Sequence, residues 1–76
     1  MKRYKLFRKV NGRVRYYTLV FQKTLFGEFE LTRIYGSLGK KPTGMKREFF
    51  SSLDEAQAKL SQLLKRKRAK GYKDSY

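Results

Sequence analysis

A single α+β domain is what this sequence predicts, with an antiparallel sheet of about four strands and one C-terminal helix packed across it. Three observations carry that expectation. Several short runs rich in aromatic and β-branched residues are separated by turn signals. One long stretch near the C-terminus has apolar residues at helical spacing. The connections between the strand-like runs are too short to hold crossover helices, so the strands must pair antiparallel. A chain of 76 residues holds one domain with a small core.

Residues 3–10 read as the first strand. Asn11-Gly12 follows, the strongest two-residue hairpin signal, because both residue types tolerate positive φ. Residues 13–23 form the second strand. Val14 and Tyr16 alternate with Arg13 and Arg15, after which Tyr17, Leu19 and Phe21 alternate with Thr18, Val20 and Gln22. The apolar face thus changes sides near Tyr16 and Tyr17, which predicts either a bulge or a strand covered on both sides. Leu25-Phe26-Gly27 reads as a turn with Gly27 left-handed. Residues 28–35 form the next strand, with Phe29, Leu31 and Arg33 on one face and Glu28, Glu30, Thr32 and Ile34 on the other. Tyr35-Gly36-Ser37-Leu38-Gly39 then reads as a turn opening a basic loop that ends at Gly44 and contains Pro42. Residues 45–50 make a short fourth strand.

The helix has the clearest signals. Ser52 with Glu55 forms a capping box, and Asp54 adds negative charge to the first turn. Leu53, Ala56, Leu60, Leu63 and Leu64 make one apolar stripe. Lys65, Arg66, Lys67, Arg68 and Lys70 suit the negative end of the helix dipole, and Gly71 is a natural stop. The domain is expected over residues 1–72, with 73–76 a flexible tail. Tyr16, Tyr17, Phe21, Phe29, Phe49 and Phe50 are expected in the core, which in a sheet this small needs large side chains.

The charge balance points to function. Lys and Arg total 20 against 6 for Asp and Glu, a formal net charge of +14. A small domain needs a net charge of only about 2–8 to stay soluble, so a polyanionic partner is implied, most simply nucleic acid. The chain has no His and no Cys, which removes the commonest general base, the commonest metal ligand and every thiolate site. An enzyme is therefore not expected, and neither is a cofactor or metal. The lack of Cys suits a cytoplasmic location. No apolar run approaches the ~20 residues that span a bilayer, so no membrane partner is expected.

Three segments together resemble the WGR domain, a module of poly(ADP-ribose) polymerases also found in short bacterial proteins. Phe29-Glu30-Leu31-Thr32-Arg33-Ile34 leading into Tyr35-Gly36-Ser37-Leu38-Gly39 is similar to the family's strand ending in Trp-Gly-Arg-hydrophobic-Gly. Phe50-Ser51-Ser52-Leu53-Asp54-Glu55-Ala56 resembles its Phe-x-Ser-Leu-x-Glu-Ala helix entry, and residues 65–72 resemble its basic helix end closing on Gly-Tyr. Tyr35 stands where the family has Trp, and Ser37 where it has Arg. In the polymerases the Trp packs against the sugar at a DNA break and the Arg joins contacts between domains. The resemblance thus implies a preference for DNA ends or nicks, and it carries no transferase activity.

Candidate contact residues follow from the basic turn and its surroundings. Tyr35 either stacks on sugar or base or finishes its strand by packing on the loop. Gly36 and Gly39 either let a phosphate approach backbone N–H groups or serve as ordinary turn glycines. Arg13, Arg15, Arg33, Lys40, Lys41, Lys46 and Arg47 are candidates for phosphate contacts. The basic helix end, Lys65 to Lys70, either forms a second phosphate-contacting patch or matches the helix dipole, and the dipole reading comes first. No base-reading pattern stands out, so binding is expected to be largely independent of sequence, with DNA favoured over RNA. A module recruiting acidic protein partners is the alternative. A monomer is expected.

Overall fold

In the computed structural model, which describes residues 1–75, the chain folds as β1 (Lys2–Val10), β2 (Arg13–Lys23), β3 (Phe29–Ser37), β4 (Gly44–Phe50) and α1 (Leu53–Ala69). The strands form one antiparallel sheet in chain order. Asn11 and Gly12 both take positive φ, 50° and 77°, as a tight hairpin with the right twist requires.

The register of β2 advances one residue at a time against both neighbours, so the strand has no bulge. Tyr16 and Tyr17 simply point to opposite faces. Tyr17, Leu19 and Phe21 join Leu6 of β1 and Leu31 of β3 on one face, where Leu60 and Leu63 of α1 pack on them. Among the described residues, no helix or strand lies across the opposite face, and the molecule is only 16 Å deep in its thinnest direction. Burial on one side only corrects the expected core. Tyr16 is half-buried on the uncovered face, and Phe49, on that face too, is 54% exposed.

The third strand is longer than its composition suggests. Gly36 and Ser37 pair with Tyr16 and Arg15, so the chain turns only at residues 38–40, where Gly39 takes a φ of 85°. Gly36 is buried for a steric reason: a Cβ there would sit 2.9 Å from the Thr43 backbone nitrogen and 3.2 Å from the Pro42 Cα. The returning loop needs that space.

Helix α1 starts as its sequence dictates. The Ser52 hydroxyl accepts from the Glu55 N–H at 3.2 Å, satisfying one of the orphan donors of the first turn. Ala56, Leu60 and Leu63 are buried and Leu64 is half-buried, but Leu53 is 43% exposed and so lies outside the stripe. At the other end the Gly71 N–H bonds the Arg68 carbonyl and the Tyr72 N–H bonds the Lys67 carbonyl, both at 3.1 Å. This pair is the Schellman arrangement, with Gly71 left-handed at φ 99°, and it turns Tyr72 back toward the sheet. Lys73, placed in the tail by sequence, instead exchanges two backbone hydrogen bonds of 2.7 Å with Phe7 on the edge of β1. Tyr76 lies outside the described residues. Among the described residues, no helix is long and apolar enough to cross a membrane.

Candidate nucleic-acid interface

Beyond the last turn of α1, the covered face of the sheet changes from leucine to tyrosine and arginine. Tyr17 and Tyr35 are direct cross-strand partners, and their rings stack at 6.0 Å between centroids with 22° between planes. Tyr72, delivered by the helix stop, meets Tyr17 edge-on at 6.1 Å. Lys67 reaches over both, its ammonium 4.4 Å from the Tyr17 centroid and 5.6 Å from that of Tyr72. Arg15 and Arg33 complete a notch of about 290 Å³ walled by these six residues. The Tyr35 ring also lies against Gly44, where a Cβ would come within 2.6 Å of its hydroxyl oxygen. Tyr35 thus packs on the loop while leaving one side to the notch.

The notch is electrostatically unfinished. Arg33 is ion-paired with Glu48 on β4, yet its Nε is buried without a hydrogen-bond partner among the described residues. Such orphans are rare and call for an explanation. Burial lowers the Lys67 pKa from its ordinary value, and Lys70, Arg33 and Arg66 lower it further. Burial raises the Tyr17 pKa, while Arg33 beside it pulls the other way. Arg15 lies directly opposite Arg8 across the β1–β2 pair, an arrangement that destabilises a sheet. Among the described residues, the fold holds cations together here with one ion-paired carboxylate, Glu48, to offset them.

From the notch a basic trough runs along the end of the sheet. Arg15 and Ser37 also line a cleft of about 400 Å³ with Arg13 and Asn11. Arg13 and Ser37 then line the next, of about 380 Å³, with Lys40 and Gly12. A larger cleft, about 540 Å³, adjoins on the Arg8 side, bordered by Lys9, Lys70 and Lys73.

The ten residues singled out by sequence are therefore not one patch. Arg15, Arg33 and Tyr35 meet in the notch, and Arg13 and Lys40 continue it. Gly39 and Lys41 sit exposed in the same loop as Lys40. Lys46 is exposed on β4 opposite Arg33. Arg47 lies on the other face of the sheet, 3.5 Å from Glu30, and Gly36 is buried under its loop. Sequence reasoning missed Tyr17 and Tyr72 and did not single Lys67 out of its basic run. A signal for Lys67 existed: it falls seven residues after Leu60 and four after Leu63, so the apolar stripe itself points it inward.

No curated protein and no solved structure shows significant similarity to the chain. The family model of the WGR domain matches residues 2–76. WGR domains are in general nucleic-acid-binding modules, and the chain belongs to that family.

Proposed function

We propose that this protein binds DNA through phosphate and sugar, using the tyrosine-walled notch and the trough of Arg15, Arg13 and Lys40, and that it favours ends or nicks. It acts by binding, not catalysis. The observation that supports this most is the convergence of Arg15, Arg33 and Lys67 on one small site with a guanidinium Nε left without an acceptor. A phosphate among them relieves the mutual repulsion of the cations. Tyr35, stacked on Tyr17, offers a fixed ring edge for a sugar. The notch is bounded by the helix end through Lys67 and Tyr72, so a terminal phosphate enters it more easily than one inside a continuous strand. The trough beyond takes the phosphates that follow.

Titrations of intact, nicked and 5′-phosphorylated blunt duplexes at two salt concentrations test this reading. Neutralising about four phosphates gives a log–log salt slope near −3.6 and an affinity loss of about a hundredfold between 50 and 200 mM salt. Phosphorylated ends should bind more tightly than unphosphorylated ones, and Arg15→Glu should abolish the difference. Failure to bind any duplex at 50 mM salt overturns the function; equal affinity for ends and interior overturns the end preference.

A further inference from the structure

The register of the sheet arranges the uncovered face in rows. Lys5, Thr18, Ile34 and Met45 form one, and Phe7, Tyr16 and Gly36 form the next. Leu38 extends β3 beyond it, its N–H bonded to the Val14 carbonyl at 2.8 Å. Lys5, Phe7, Tyr16, Thr18 and Leu38 enclose a shallow cleft of about 410 Å³, so a tyrosine and a phenylalanine stand beside an ammonium, next to the Pro42–Thr43 loop that covers Gly36. This cleft is separate from the notch, because Tyr16 and Tyr17 project to opposite sides of β2.

The edge strand supplies the second half of the pattern. Arg3, Lys5 and Lys9 all alternate onto the uncovered face. Arg3 and Lys5 are two apart, about 6.8 Å along the strand, and Lys9 lies two such steps beyond Lys5, past Phe7, a spacing that an extended nucleic-acid backbone spans. Glu30 is the one carboxylate on this face of the four strands, and it is already engaged by Arg47, Gln22 and Thr32. It therefore offers little opposition to an anion lying along β1, at the other side of the sheet.

We propose that this face holds an unpaired stretch of nucleic acid, with a base in the cleft beside Tyr16 and the backbone along Arg3, Lys5 and Lys9. Single-strand binders combine a cationic track with rings on which bases stack, and both parts are present here on adjacent strands. Base pairing would keep the base out of the cleft, so the surface selects single strands. An acidic protein segment is the less suitable occupant, because Arg47 on the β4 edge is already paired with Glu30, and the remaining strand cations of this face run in one line on β1. The proposal is independent of duplex binding at the notch. Together the two surfaces would let one molecule hold a duplex end on one side and a melted segment on the other.

Anisotropy titrations with short fluorescent oligothymidylate and oligouridylate, run beside a blunt duplex, test it. Tyr16→Leu keeps apolar bulk but removes the stacking ring, and should weaken single-strand binding by about fivefold to a hundredfold, the range for one base stack, with duplex affinity unchanged. Lys5→Ala should also weaken it, while Arg15→Glu should affect the duplex far more than the single strand. Amide shifts on adding the oligonucleotide should cluster at residues 5, 16, 18 and 38. Dependence on Tyr16 with either oligonucleotide upholds the proposal, and the tighter of the two identifies the preferred sugar. Unchanged single-strand affinity in Tyr16→Leu, or shifts centred on residues 15, 33, 67 and 72, overturns it. Displacement of the oligonucleotide from residues 5, 16 and 18 by a lower concentration of an acidic helical peptide also overturns it, and reassigns the face to a protein partner.

Discussion

The two faces of this sheet are built from the same strands and do different work. On the covered side Leu6, Leu19, Leu31, Leu60 and Leu63 are all but sealed from water, and their burial supplies most of the hydrophobic stabilisation available to so small a chain. On the other side Val20 and Ile34 are half-buried and Met45 and Phe49 are exposed. The difference shows how period-two alternation lets adjacent residues, such as Tyr16 and Tyr17, belong to separate surfaces, one packed under the helix and one open. It also shows that a single helix closes only part of one face. Where α1 ends, the same face passes from core to cation notch within one row of the sheet.

The contrast is sharpest in stability. Leu19→Ala should cost about 2–5 kcal/mol, enough to unfold much of the population of a domain this size. Val20→Ala, its neighbour on the open face, should cost about 1 kcal/mol. Urea denaturation followed by circular dichroism measures both, and similar losses would mean that the second face is covered in solution.

Gly36→Ala places a methyl group against the Thr43 backbone and should cost about 1–3 kcal/mol. It should displace the loop that carries Gly39, Lys40 and Lys41 while leaving the Lys67–Tyr72 side of the notch intact. Amide shifts confined to residues 36–44 and their β2 partners would show this.

Glu48→Gln removes the anion paired with Arg33. Stability should fall by about 1–3 kcal/mol, the range for a hydrogen bond to a charged group, while DNA affinity rises because Arg33 is released to the notch. A fall in both would show that the pair positions Arg33 for binding instead of competing with it.

The smallest expected effect is a pH dependence. The Lys67 pKa is lowered in the fold, so between that lowered value and the ordinary 10.5 the unfolded chain binds more protons than the native one, and stability should rise with pH across that interval. The Tyr17 pKa is raised, so above 10.0 the native state holds a proton that the unfolded chain has lost, and stability should fall. Thermal melts of the wild type and Lys67→Met separate the two: the rise should vanish in the variant and the fall persist.

Much of the fold was legible because its signals are local. Asn11-Gly12 forces one turn, Ser52 starts the helix and Gly71 stops it, and each acts through its own backbone or its near neighbours. β2 could be bounded at 13–23 because turn residues flank it. What alternation could not say is which face the helix would take, and this is why Phe49 and Tyr16 were assigned to the core. Gly36 and Ser37 look like turn residues by composition, but pairing with Tyr16 and Arg15 overrides that preference. In the candidate site, Arg15, Arg33 and Tyr35 could be named because charge and aromaticity mark them. Lys67 was hidden in a run of like residues, where type alone does not distinguish the one that turns inward. Tyr17 and Tyr72 were missed because stacking between distant positions leaves no trace in local spacing.

Gly71 has a reach out of proportion to its size. Its left-handed backbone directs the chain so that Tyr72 backs the cation-lined notch and Lys73, one residue on, is tied to the margin of β1. The helix terminus, the wall of the recess and the seal on the outer strand are therefore one continuous piece of backbone. A charged guest settling against Tyr72 would pull directly on the strap that guards that margin, so occupancy at one site would be felt as protection of amides at the other, with no moving part between them.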